Sequence, residues 1–173
     1  AATAALSHNN IADMTADIAA LQSLQSLQAT DHIDFRNDLL NVKNQGDQQA
    51  IKKHYAQMQA FVQQYDKELN QLSLKSAEAD QFRTQLKAFN QLALRYSKLE
   101  IQERPDEKTL TELQTQIETS QQQLSSSYSQ IEQKVSAAGK PIHKYCIHHA
   151  YCISIISRNY ACDCWVFRLK QLS

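Results

Sequence analysis

Between Ala1 and Ala138 the chain holds one glycine, Gly46, and one proline, Pro105. Sheets with many tight turns need such residues at their reversals, because glycine supplies positive φ and proline pre-sets a turn. Their scarcity restricts this stretch to a few long helices joined by few connections.

Apolar residues spaced alternately by three and four locate those helices. The first series runs Ile11, Met14, Ile18, Leu21, Gln25, Gln28, His32, Phe35, Leu39 and Val42. It holds one heptad phase, with three polar residues at its middle, and predicts a helix over about 10–44. A break near Thr30 and Asp31, either of which can cap a new helix, is the alternative. Gly46 suits a left-handed helix end, and Asp47 can accept hydrogen bonds from the next helix's free N–H groups. The second stripe is Ile51, Tyr55, Met58, Val62, Tyr65, Leu69 and Leu72, for a helix over about 48–72. The phase then slips by one residue, which places a connection near 73–76. Phe82, Leu86, Phe89, Ala93 and Tyr96 mark a third helix over about 77–103, ended by Pro105. The fourth, about 107–137, carries Leu110, Leu113, Ile117, Gln121, Leu124, Tyr128, Ile131 and Val135. Thr109 and Glu112 have the spacing of a capping box near its start.

Helices of this size are roughly 40–50 Å long at ~1.5 Å per residue. Stripes with a period near 3.5 favour shallow crossing angles, and short connections make successive helices antiparallel. The expected fold is all-α: an antiparallel up-down-up-down four-helix bundle followed by an irregular Cys/His-rich C-terminal tail. An extended antiparallel coiled coil that completes its core by dimerising is the alternative. Tyr55, Tyr65, Phe82, Phe89, Tyr96 and Tyr128 fall on the stripes and are expected in the core, with hydroxyls reaching its edge. Phe61, beside Val62, either widens its helix's apolar face or lies at a partner surface.

Composition changes abruptly after Gly139. All four cysteines, the only tryptophan and half of the six histidines lie in residues 140–173. The formal net charge of zero hides a split: 13 Lys/Arg against 17 Asp/Glu up to Gly139, a balance of −4, and five against one afterwards, a balance of +4. The expected division is a helical bundle over 1–139 and an appended tail over 140–173. The tail lacks Glu and heptad phase, and resembles the translation of an unintended reading frame or of vector sequence. Read instead as native, Cys146, Cys152, Cys162 and Cys164 can form two disulfides in three connectivities. Cys146, His148, His149, Cys152, Cys162 and Cys164 can also ligate zinc through thiolate and imidazole. The Cys162-Asp163-Cys164 spacing is not that of the usual Cys-x-x-Cys knuckle.

An acidic body with dispersed charge lacks the basic stripe that phosphate neutralisation requires, so nucleic acid is not an expected partner. No run of 18 apolar residues is present, so no transmembrane segment is expected. A di-metal carboxylate site needs Glu-x-x-His pairs and inward carboxylates, and the stripes supply neither. The glycine loops that cradle phosphates and the common hydrolase motifs are absent, so neither an enzyme nor a cofactor is implied. Gln25, Gln28 and His32 form a polar layer on the inner face of the first helix. They can line a pocket for a small polar ligand, with His54 and Gln121 contributing if their heights match. The same layer can instead set helix register or be wetted in a locally splayed bundle.

This architecture resembles periplasmic helical bundles that serve as sensor, scaffold or small lipoprotein modules of bacterial envelopes. The opening Ala-Ala-Thr-Ala-Ala suits the start of an exported protein whose signal peptide has been removed. The resemblance implies a non-enzymatic interaction, scaffold or sensor-type module in the cell envelope or periplasm, with another protein or a second copy as partner. A ligand- or metal-binding bundle is the alternative. A membrane-active amphipathic protein is a third class, disfavoured because its polar faces are rich in Gln rather than Lys/Arg.

Overall fold

The computed structural model describes residues 5–139 and, within them, the side chains of all but 25–37 and 40. The described chain is an all-α bundle of four helices: α1 Ile11–Gln45, α2 Gln48–Gln71, α3 Ala77–Glu100 and α4 Glu107–Ala137. Among the described residues there is no β-strand, only an isolated parallel bridge between Ser7 and Ser76.

Local chemistry explains the helix ends. The Asn10 side chain accepts hydrogen bonds from the N–H groups of Ala12 and Asp13, and so starts α1. Gly46 closes it at φ +72°, and Asp47 takes the N–H groups of Gln49 and Ala50 at 3.0 Å each. Glycine pays no Cβ penalty in that conformation, which is why the reversal falls there. The helix is continuous through Thr30 and Asp31. At the start of α4 the cap is Asp106, which accepts from the N–H groups of Lys108 and Thr109. Thr109 lies inside the first turn and donates its hydroxyl to Asp106 at 2.7 Å. The capping box expected from Thr109 and Glu112 is therefore replaced by an aspartate cap three residues earlier. α3 ends at Glu100 rather than near 103. Residues 102–104 are exposed, so no burial there opposes the pre-proline restriction set by Pro105.

The predicted stripes form the core. Met14, Ile18 and Leu21 of α1 pack with Tyr65 and Leu69 of α2, Phe82, Leu86 and Phe89 of α3, and Ile117, Leu124, Tyr128, Ile131 and Val135 of α4. Met58, Val62 and Leu94 form a second buried group. Phe61 packs against both groups and stacks on Tyr65 with ring centroids 6.5 Å apart, so it widens the α2 face. The Tyr128 ring lies 6.0 Å from Phe82, and its hydroxyl accepts a 2.8 Å hydrogen bond from Gln22. Tyr55 donates its hydroxyl to the Leu94 carbonyl at 3.4 Å. Each such large apolar side chain contributes about 1.5–3 kcal/mol when fully buried, which is what holds long, polar-surfaced helices together.

Contacts between helix ends define the two poles of the bundle. The starts of α1 and α3 meet the finish of α4 where Lys134 reaches both Asn9 (2.6 Å) and Glu78 (3.3 Å). The finish of α2 joins them, because Arg83 caps the carbonyls of Leu69 and Leu72 at 3.2 and 2.9 Å. At the other pole Lys43 pairs with Glu100 at 3.6 Å, beside the connections through Gly46 and Pro105.

Candidate functional site

Among the described residues four polar side chains are buried, and two of them, Asp17 and Ser76, meet at the first pole. Segment 7–9, ahead of α1, lies as a strap on the α2–α3 connection. Ser7 donates its N–H to the Lys75 carbonyl at 2.8 Å and accepts from the Ala77 N–H at 2.9 Å. Its hydroxyl reaches Asp13 at 2.7 Å. Asn9 adopts φ +54°, a conformation that asparagine tolerates, and its N–H donates to Glu78 at 2.9 Å.

Beneath the strap lies Asp17, only 4% exposed. One of its carboxylate oxygens accepts from the Lys75 N–H (2.9 Å), the Ser76 N–H (2.7 Å) and the Ser76 hydroxyl (2.7 Å). Ser76 is fully buried and makes no side-chain cap to its own helix. A carboxylate from α1 therefore satisfies the entry to α3, where free N–H groups and the helix dipole favour negative charge. The result is a polar clasp between two helices that are not neighbours in sequence. Glu78, at the edge of the clasp, is raised by burial but lowered more by the Asn9 N–H, its own N–H and the Lys134 ammonium. Its carboxyl is held below the ordinary value of 4.5.

A second polar feature lies midway along the bundle. Asn90 is fully buried on α3. Its amide donates to Asp66 of α2 at 3.4 Å, and Gln91 donates to the same carboxylate at 2.9 Å. The Asn90 side-chain oxygen is buried without a hydrogen-bond partner. Counting along α4 from the Phe82–Tyr128 contact places Gln121, which is partly buried, near this level. His54 lies further toward the second pole, on the stretch of α2 whose Tyr55 meets Leu94, and its Nδ1 is buried without a partner.

The backbone of Gln25, Gln28 and His32 lies within α1, and their side chains fall outside the described residues. Cys146, His148, His149, Cys152, Cys162 and Cys164 also lie outside them. Among the described residues no three His, Cys, Asp or Glu side chains gather as metal ligands. No helix of the described residues is long and apolar enough to cross a membrane.

Asp17, Ser76, Asn90 and Ser97 are the buried polar side chains that periodicity missed. Asp17 and Asn90 each adjoin a stripe residue, Ile18 and Phe89, and read as solvent-facing neighbours. Ser97 donates its hydroxyl to the Ala93 carbonyl at 2.9 Å, which lets it lie inside a helix contact. The one available signal was the phase slip at 73–76, which marked the connection that Asp17 grips.

A family model described as uncharacterised lipoprotein PM1805 matches residues 15–136. The chain belongs to this family. The match spans all of α2 and α3, all but the last residue of α4 and most of α1, including Asp17, Ser76, Glu78 and Asn90. It ends just before Gly139, so residues 140–173 lie outside it. No curated protein and no solved structure matches the chain. Membership of a lipoprotein family points to the cell envelope.

Proposed function

We propose that this protein is a non-enzymatic interaction or scaffold module of the cell envelope, which acts by holding another protein or a second copy of itself. The observation that carries the reading is the use made of the buried polar groups at the first pole. The bonded Asp17 oxygen is engaged by three donors that clasp α1 to the start of α3. A carboxylate committed in this way serves to fix helices in place. Family membership supplies the envelope setting. The polar, dispersed helix surfaces suit a reversible contact better than a permanent apolar interface.

Photo-crosslinking from exposed positions on α2 and α4 in intact cells, with sedimentation equilibrium of the purified chain, tests this proposal. A discrete crosslinked complex, or a concentration-dependent dimer, is expected. A strict monomer that forms no crosslink from either helix would sink it.

Asn90 favours a second reading, a bundle that takes a small polar ligand at mid-height. Its buried oxygen lacks a partner, and buried polar atoms are nearly always paired. Binding measured on the parent chain and on Asn90→Leu and His32→Ala separates the two readings. A small molecule retained by the parent and lost by both variants would favour the ligand reading.

A further inference from the structure

We propose that the pole built from the strap, Asp17 and Lys134 faces the lipid bilayer, and that the pole at Gly46 and Pro105 is the tip presented away from it. This inference rests on the envelope reading, takes from the family's description that the chain carries a lipid, and adds the orientation and the surface involved.

Lipids are carried on cysteine thiols or on groups at chain termini. Residues 5–139 contain no cysteine. A lipid carried by this chain therefore lies beyond one end of the described bundle or the other. Both ends leave from the same pole: Lys134, in the last turn of α4, hydrogen-bonds Asn9, just ahead of α1. A lipid carried ahead of the strap therefore draws this pole to the membrane, and α4 finishes at the same pole.

The strap makes this attachment firm on the N-terminal side. Ser7 is pinned by two backbone hydrogen bonds and Asn9 by Glu78 and Lys134, so the chain joins the bundle without slack from residue 7 onward. Leu6 is the one large apolar side chain exposed among the described residues, at 37%, and it lies at this pole. An apolar side chain there costs nothing against acyl chains. Both poles otherwise present exposed polar residues, His8, Asn9 and Lys75 at the first and Gln45, Gln102 and Arg104 at the second, so the exposed leucine is what distinguishes them. The 35 residues of α1 separate the two poles by about 50 Å at ~1.5 Å per residue.

The test uses the full, lipid-bearing chain in phosphatidylethanolamine–phosphatidylglycerol vesicles that contain a rhodamine-labelled lipid. A fluorescent amino acid is introduced singly at His8, Asn44 or Arg104, all exposed. Energy transfer to the membrane is expected to be several-fold stronger from position 8 than from 44 or 104. Equal transfer from the three positions, or stronger transfer from 44, overturns the orientation while leaving the envelope reading intact. A chain that does not associate with the vesicles overturns both.

Discussion

Replacing Asp17 with Ala removes the acceptor for three donors at once. The Lys75 N–H, the Ser76 N–H and the Ser76 hydroxyl all end on one oxygen of a side chain that is 4% exposed. Ser76 is fully buried, so water cannot replace the lost acceptor without opening the pole. Hydrogen bonds to a charged group are worth about 1.5–3 kcal/mol each, and orphaned donors carry their own desolvation cost. The three share one acceptor and are not additive. The expected loss for Asp17→Ala is about 3–5 kcal/mol, or a fall in melting temperature of about 6–20 °C for a domain of this size. Asp17→Asn keeps a neutral acceptor and should lose about half as much. Thermal and urea unfolding followed by circular dichroism measure both variants, and hydrogen exchange reports the amides of Lys75 and Ser76 directly. The same two amides should become the most strongly deprotected in Asp17→Ala. A melting temperature within about 2 °C of the parent, with those amides still protected, would refute the view that this carboxylate holds the pole together.

The pH dependence follows from Glu78. Its carboxyl is depressed below 4.5 in the folded chain, so its contribution is present above that value and is lost as pH falls through the folded one. Unfolding curves of the parent and Glu78→Gln should therefore converge as pH drops below about 4.5, and a gap that stays constant would contradict this. Leu124→Ala leaves a cavity at a fully buried site and should cost about 2–5 kcal/mol in urea unfolding. At Gly46 a Cβ meets nothing within 4 Å but φ is +72°, so Gly46→Ala should cost about 1–2 kcal/mol from backbone strain alone. Asn90→Leu removes an unpaired buried oxygen together with the long 3.4 Å bond to Asp66, and should leave stability within about 1 kcal/mol of the parent in urea unfolding; a larger loss would mean that Asn90 is held by more than this one contact.

What was readable in the chain and what was not divides along physical lines. Gly46, Asp47 and Pro105 act through their own backbone geometry, so their roles could be read without knowing any neighbour. The apolar stripes were equally legible, because burial on one helix face imposes a period. Leu110, Leu113, Ile117, Leu124, Tyr128, Ile131 and Val135 are all buried as the spacing requires. Asp17 was hidden because an acid beside a stripe normally faces water. Only its contact with a connection some 59 positions away makes it interior. Ser76 was hidden for the same reason, since its partner lies on α1 rather than on its own helix. Asn90 breaks the pattern from inside, as a polar residue at a packed level whose partner, Asp66, sits on another helix. Long-range pairing of polar groups leaves no period, so the core could be read and the clasp could not. The expected polar layer of Gln25, Gln28 and His32 and the Cys/His set after Gly139 fall outside the described side chains.

The arrangement of the helix ends creates the clasp and both poles. Distances between paired spin labels, placed with genetically encoded residues and read by pulsed electron resonance, measure it in solution. Labels at His8 and Ser136 should lie close together at the strap pole, and labels at His8 and Asn44 about 50 Å apart along α1. A separation between His8 and Ser136 comparable to the length of α1 would contradict the account, because α4 would then finish at the wrong pole.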